Sequence, residues 1–328
     1  MSKISVIGAG AWGTTLSILL AEKGHTVNLW AFEKDVAQAI KETRENKTFL
    51  PGFQLPENIQ PLTDIHQLPL SEIYFFVVPS QFLRSVAKNA RQTINPGSIV
   101  VSASKGIENK TLNLPLDILK QELKNKKFAV LSGPNLSAEI AKGYPAAAVT
   151  ASDEIRTALL VQDALMLERF RVYTNADPLG VQLGGALKNI IAIAAGIADG
   201  LELGNNAKAG LMIRGIAEIT RLGIAMGART ETFAGLAGMG DLITTCSSKL
   251  SRNHHVGEQI AKGQKLPEIL KGTKEIAEGI PTTKAAHELG KKHQVSLPIT
   301  NEVFQVLFKN KNPQQAILDL TTRSATSE

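Results

Sequence analysis

Between Asp177 and Asp199 the chain carries one charge, Lys188, and a helix there would line Ile191, Ala192 and Ala195 along one face beside it. Such a helix carries an ammonium group into or beside a packed core. Burial disfavours the charged form and lowers a lysine pKa, which makes the group a usable proton donor or acceptor near neutral pH. Two blander readings stand next to this one. Lys188 could snorkel to water from a helix end, or the tract could span a membrane. Against a span stand the cost of a central lysine, about 2.5 to 3.5 kcal/mol, and the lack of a second span. Gly184, Gly185, Gly196 and Gly200 also interrupt the tract.

A second chemistry is written at the N-terminus. Lys3 to Ile7 is a short β-branched run, Gly8, Gly10 and Gly13 follow in a GxGxxG pattern with Ala11 and Trp12 inside it, and a helical pattern then runs to Gly24. In a strand, glycine turn and helix of this kind, the first glycine permits the tight turn. The second lets backbone approach a pyrophosphate, and the third lets helix pack on strand, with the helix N-terminus facing the phosphates. Thr26 to Trp30 closes the βαβ unit, which supplies the context the motif needs. Glu33 falls at the end of that second strand, where a carboxylate accepts from the ribose hydroxyls of NAD and repels the 2'-phosphate of NADP, while Lys34 beside it could pair with that phosphate. Trp12 is either a plate facing the cofactor or a packing residue.

Further polar groups fall in loops. Lys105 follows the strand pattern Ser98 to Ser104, at the carboxyl end where open α/β sheets bind ligands, with an exposed loop lysine as the alternative. Ser132 to Asn135 is another loop directly after a strand, with Gly133 in its turn. Gly238 to Cys246 reads as a loop of small residues offering Asp241 and Thr245. Ser251 to His255 reads as a second loop, in which Arg252 has the planar fork of a phosphate clamp. The histidines there do not make a metal site, since neighbours in sequence point apart and Cys246 would be a lone third ligand.

These groups need a frame to hold them. Strand signals at Ile73 to Val78, Ser98 to Ser104, Phe128 to Leu131, Ala146 to Ser152 and Phe170 to Asn175 alternate with helical patterns at Leu83 to Thr93, Leu114 to Lys124 and Asp153 to Glu168. Phe49 to Pro56 reads as a Pro/Gly-rich loop. After Asp177 strand signals nearly vanish, and helical patterns cover Leu187 to Ala198, Leu211 to Met226 and Leu270 to Gly290. The expected architecture is an α/β, Rossmann-like domain with a doubly wound, mostly parallel sheet over residues 1–178, then an all-α domain over 179–328. The polar tail after Asn312 is expected to be partly disordered.

Composition narrows the partners. With 328 residues and 43% hydrophobic content, the chain can form two cores. Its charge of +6 divides as +2 before residue 178 and +4 after it, and aromatics are 5%, so no dense basic stripe or stacking surface points to nucleic acid. A small anionic ligand fits better. The single cysteine, Cys246, rules out an internal disulfide, and with no secretory leader before Lys3 the expectation is a cytoplasmic protein.

Taken together, GAGAWGT at Gly8, SKGI at Ser104, SGP at Ser132, GALKNIIAIAAGI at Gly185, GMGDLITTC at Gly238, SRN at Ser251 and EGIPT at Glu278 resemble the bacterial-type NAD(P)-dependent glycerol-3-phosphate dehydrogenases, over the chain up to about residue 310. The resemblance implies reversible hydride transfer between a nicotinamide, NAD or NADP, and C2 of sn-glycerol 3-phosphate, supplying phospholipid synthesis. It implies no metal, and a homodimer is compatible with it. By the same resemblance Lys188 would be the acid/base with Asn189 beside it, and Lys105 and Asp241 would orient the substrate. Thr245, Ser251, Arg252 and Asn253 would hold the substrate's phosphate and hydroxyls, and Gly133 and Asn135 would line its pocket. Ser137, Arg252, Ile276 and Glu278 would approach the cofactor, as would Lys105. The family commonly has Ser or Thr at Asn135, Ala at Ser137 and often a basic residue at Phe32. Phe32 cannot bind a 2'-phosphate, which tilts the reading toward NAD. Two other readings keep the same glycine loop: a reductase of a 3-hydroxy acid or ketopantoate-like substrate, and a dinucleotide sensor without turnover.

Overall fold

The computed structural model describes residues 1–123, 127–271 and 276–324. Contacts divide the chain into two compact units, residues 1–105 with 113–182, and residues 106–112 with 183–328.

The first unit begins β1 (Lys3–Ile7), α1 (Ala11–Glu22), β2 (Thr26–Trp30) and α2 (Lys34–Thr43). A ribbon of β3 (Glu45–Asn46) and β4 (Leu50–Gln54) follows, then β5 (Ile59–Leu62), β6 (Ile73–Phe76), α3 (Leu83–Ala90) and β7 (Ile99–Ser102). It continues through α4 (Pro115–Glu122), β8 (Lys127–Ser132), α5 (Ser137–Ala141), β9 (Ala146–Ala151), α6 (Ile155–Leu165) and β10 (Phe170–Asn175). Eight strands form one sheet in the order β10-β9-β8-β7-β6-β1-β2-β5. Every neighbouring pair is parallel except β8 with β9. Strands buried on both faces must be apolar throughout, and β6, Ile-Tyr-Phe-Phe, is buried at every position. Leu16, Leu19 and Leu20 of α1 and Val161 of α6 share one core cluster. Leu83 and Ala87 of α3 and Ile118 and Leu119 of α4 belong to another. This is the doubly wound sheet that the alternation of signals implies.

Strand order reverses between β1 and β6, the switch point at which such sheets bind ligands outside their carboxyl ends. The Gly8 loop, Glu33, Lys105 and Gly133 each follow β1, β2, β7 or β8, which run parallel, so all lie at that edge of the sheet.

The stretch Phe49 to Pro56 is not simply a loop. Leu50–Gln54 pairs antiparallel with Glu45–Asn46, and Ile59–Leu62 adds an edge strand to the main sheet beside β2. Proline at positions 51, 56 and 61 obscures the strand pattern, and the edge position tolerates it.

Helices follow: α7 (Pro178–Gly200), α8 (Gly204–Ala225), α9 (Thr230–Ala234), a π turn at Leu236–Gly240, α10 (Asp241–Ser247) and α11 (Arg252–Ala261). Beyond them come α12 (Leu266–Lys271), α13 (Gly279–Lys292), α14 (Pro298–Lys309) and α15 (Pro313–Thr321). The pattern Leu270 to Gly290 therefore covers parts of two helices, with residues 272–275 of it outside the described residues; Lys124, the expected end of α4, lies outside them too. The polar tail is helical through α15, because Pro313 opens that helix and the Asn312 side chain accepts from Gln314 N at 2.8 Å. Its last residues, 325–328, fall outside the described residues.

α7 is long and apolar enough to cross a membrane, but its apolar stretch is almost wholly buried inside the protein, which makes it a core helix. Backbone packs on backbone where it meets α11. A Cβ added at Gly196 would lie 1.9 Å from His254 O, and one at Gly257 would lie 2.1 Å from Ile193 O. Glycine at both positions sets the separation of the helices that carry Lys188 and Asn253. Gly196→Ala should destabilise the protein by more than about 2 kcal/mol, because the obstruction is rigid backbone. Urea unfolding of the two proteins followed by circular dichroism checks this.

Candidate active site

In the first unit the glycine loop is shaped by contact. Gly8 has φ +119°, and a Cβ there would meet Val77 O at 2.5 Å; at Gly13 a Cβ would lie 1.8 Å from Gly8 O. Gly10 differs, since a Cβ on it would meet nothing within 4 Å. The first and third glycines thus close the turn, and the second leaves an open face for a ligand's approach. The N-terminus of α1 has no side-chain cap and no acidic residue in its first turn, which fits a phosphate group at its positive end. Ala11 begins α1. Trp12 is partly buried against the core, so it packs in part. Phe32 is 76% exposed, and Glu33 and Lys34, at the N-cap and first position of α2, are exposed too. These residues fit a nicotinamide dinucleotide.

Asn46 joins this loop, although nothing in the spacing of the sequence singles it out. Its side chain is wholly buried and bonds to Ala9 O and to Thr14 Oγ1, both at 2.8 Å. Ser137 opens α5, and its carbonyl accepts from Thr15 Oγ1 of α1 at 3.2 Å.

Lys105 donates from Nζ to Gly133 O at 2.9 Å, so the structure brings these two together. Gly133 has φ +129° and packs against the backbone of β9, with Cβ clearances of 3.0 and 3.1 Å to Ala148 Cα and Ala147 O. Asn135 donates from Nδ2 to Ala147 O at 3.2 Å, which leaves its buried Oδ1 as an acceptor with no protein partner. A ligand hydroxyl or amide would satisfy it.

In the second unit Lys188 is buried, with its side chain 8% exposed. It does not snorkel. Its Nζ lies 2.5 Å from Asp241 Oδ1 and 2.5 Å from Thr245 Oγ1, and Asp241 is 1% exposed. The Gly238 to Cys246 stretch is therefore more than a loop. A π turn gives way to α10, and the four-residue spacing of Asp241 and Thr245 puts both on one helix face toward the ammonium. An uncompensated ammonium at this depth would be costly, and the carboxylate compensates it.

Ser251 to His255 is likewise a helix start. Ser251 caps α11 by accepting from His254 N at 3.3 Å. Arg252 is exposed at the first position of α11, while Asn253 is buried. Asn253 donates to Asn189 Oδ1 at 2.9 Å and accepts from Gly279 N at 2.9 Å, which ties α7, α11 and the start of α13 together. Close behind, Asp199 accepts from His254 and Lys208, both at 2.8 Å. Desolvation pulls the Asp199 carboxyl upward, but those two hydrogen bonds outweigh it and hold it below the usual carboxylate range. Ile276 is 38% exposed, and Glu278 stands at the N-cap of α13. Among the described residues no group of three or more His, Cys, Asp or Glu is placed to hold a metal.

A Rossmann-like sheet with a glycine loop after its first strand, joined in one chain to a helical unit holding a buried lysine-carboxylate pair, defines a two-domain NAD(P)-dependent dehydrogenase. Residues 3–158 match the N-terminal domain, and residues 177–318 the C-terminal domain, of NAD-dependent glycerol-3-phosphate dehydrogenase. The chain belongs to that family. A glycerol-3-phosphate dehydrogenase (NAD(P)+) of Citrifermentans bemidjiense is 48% identical, with 99% of this chain and 98% of that protein covered. A crystal structure of glycerol-3-phosphate dehydrogenase from Coxiella burnetii superposes with a TM-score of 0.94 at 36% identity, over 98% of this chain and 99% of that one. A ketopantoate reductase from Ralstonia eutropha shares the fold alone, at 16% identity and a TM-score of 0.59 over 96% of this chain and 99% of that one.

Cys246 sits in α10 one residue after Thr245, fully buried, and desolvation pushes its thiol up to about 12. The thiolate is the reactive form. The folded protein should therefore resist a thiol reagent such as Ellman's at pH 8, and it should release one equivalent of thiol once unfolded.

Proposed function

We propose that the chain catalyses reversible hydride transfer between NAD(P)H and dihydroxyacetone phosphate, giving sn-glycerol 3-phosphate, with Lys188 as the acid/base. The observation that carries this reading is the buried Lys188 Nζ, held 2.5 Å from both Asp241 and Thr245. A nicotinamide dinucleotide, when bound, supplies the hydride. In our reading Gly8, Gly10, Ala11, Trp12, Gly13, Glu33, Lys34, Lys105, Ser137, Arg252, Ile276 and Glu278 hold it, and the rest of the reaction falls to the chain's own groups.

As the C2 carbonyl is reduced its oxygen takes on negative charge, and Lys188 donates the proton that completes the alcohol. Asp241 keeps the ammonium oriented and compensated beforehand, so little reorganisation is needed at the moment of transfer. In the oxidative direction Lys188 accepts the hydroxyl proton. Lys105 adds a second cation for the developing oxyanion, and Asn135 Oδ1, with no protein partner, accepts from a substrate hydroxyl. Arg252 clamps the phosphate as a planar donor fork, with Gly133, Asn189, Thr245, Ser251 and Asn253 completing the substrate set. The exposed Phe32 and Glu33 at the end of β2 favour NAD over NADP, because neither can pair with a 2'-phosphate. We place the reaction in the cytoplasm, which the single buried, free cysteine supports, and we assign its product to phospholipid synthesis, whose lipids carry the same glycerol phosphate skeleton.

The test is consumption of NADH, and separately of NADPH, by the protein with dihydroxyacetone phosphate, followed by nicotinamide absorbance. Turnover with either cofactor supports the reading. No turnover with both, across pH, leaves a dinucleotide sensor, and equal turnover of a non-phosphorylated hydroxy acid with glycerol 3-phosphate favours a hydroxy-acid reductase. Lys188→Ala should lower kcat by about 10²- to 10⁴-fold, the range for losing a positioned acid/base, while NADH still binds by fluorescence titration. A loss of only a few-fold would remove Lys188 from the role.

A further inference from the structure

We propose that Asn46 is a positioning residue for the dinucleotide's pyrophosphate, acting through the glycine loop. The inference rests on the reading that the loop from Gly8 to Gly13 binds the dinucleotide.

Asn46 is the last residue of β3, in the short ribbon that follows α2, and its side chain is 0% exposed. All of its amide is used. Nδ2 donates to Ala9 O and to Thr14 Oγ1, each at 2.8 Å, and Oδ1 accepts from Phe49 N at 3.1 Å. Because the donor arm meets a carbonyl oxygen, which can only accept, the orientation of the amide is fixed by chemistry. One side chain thus joins three things distant in sequence: the peptide between the first two glycines, the first turn of α1, and the turn of the β3–β4 ribbon.

The bond to Ala9 O is the informative one. A trans peptide is planar, with its C=O and N–H pointing in opposite directions. Holding the Ala9 carbonyl toward buried Asn46 therefore turns the Gly10 N–H the other way. Gly10 is the loop glycine whose surroundings are open, with nothing within 4 Å of an added Cβ. The backbone donor best placed to meet a pyrophosphate oxygen is thus oriented from behind by an amide that never touches the ligand. Thr14 reinforces this, because its Oγ1 donates to the same Ala9 O at 3.3 Å and its N–H bonds to Gly10 O at 2.9 Å. Glycine at position 10 makes such a brace necessary, since without a Cβ the peptide is otherwise free to rotate.

Asn46→Asp tests the proposal. Aspartate keeps the acceptor for Phe49 N, so the ribbon turn retains its bond, but it loses both donors and sets a carboxylate oxygen against Ala9 O. The dissociation constant and KM for NADH should rise about tenfold, the effect of losing one or two hydrogen bonds, with ADP-ribose, which carries the pyrophosphate, weakened in parallel. KM for dihydroxyacetone phosphate and kcat at saturating NADH should stay within about twofold of the wild type, a split that simple loss of stability would not produce. Thr14→Val introduces no charge, removes the amide's second partner and the hydroxyl's bond to Ala9, and should weaken NADH in the same direction. It carries the test if Asn46→Asp does not fold. The double variant should bind no worse than the weaker-binding single variant, since both act on one brace. Unchanged NADH affinity in a folded Asn46→Asp or Thr14→Val protein would overturn the proposal. Gly10→Asp separates this failure from that of the underlying reading: if it too leaves NADH affinity unchanged, the loop is not the dinucleotide site.

Discussion

An ammonium group buried in a helical core is tolerable only with a counter-charge, and the arrangement of the second unit follows from supplying one to Lys188. The partner comes from a different helix, and a π turn sets where that helix starts. Asp241 and Thr245 then fall one turn apart on the face that meets Nζ. Breaking such a pair costs more than the pair contributes, because one charge would remain buried alone. The pair is therefore held together by the cost of separating it. Asn253, bonded both to Asn189 beside the lysine and to the start of α13, adds neutral anchors to the frame without adding charge.

The first unit solves a different problem, that of closing a tight glycine turn between β1 and α1. It does so by contact rather than charge. Gly8 and Gly13 let the turn close on itself and on Val77, and the uncapped start of α1 leaves its positive end for an anion. Polar side chains then fix what glycine leaves loose. Asn46 does this at Ala9, and Lys105 at Gly133, where a lysine bonds to the carbonyl of the turn that follows β8.

What could be read from the sequence was whatever has a period or a local signature. The glycine loop between two β-branched runs, the alternation up to Asn175 and the helical patterns beyond it gave the doubly wound sheet and the helices that follow; β10 occupies the Phe170–Asn175 stretch that its pattern marks. The single charge of Lys188 marked the centre of α7. Proline hid β5, and glycines with threonines made α10 look like a loop, because propensity there is overridden by the partner that Asp241 finds. The tail after Asn312 looked partly disordered from its polarity, yet a cap and an N-terminal proline suffice to start α15. Pairings such as Asn46 with Ala9, or Asn189 with Asn253, have no sequence period, since they depend on where the chain returns in space. They are the part that only the folded structure discloses.

The role of the Lys188–Asp241 pair is open to one direct measurement: the pH dependence of single-turnover hydride transfer in the wild type and in Asp241→Asn. An opposite charge beside a lysine favours its protonated form, so removing the carboxylate should move the ionisation that governs the step to lower pH. An ionisation at the same pH in both proteins, with the rate at its plateau unchanged, would show that the group titrating in the reaction is not the lysine this carboxylate holds.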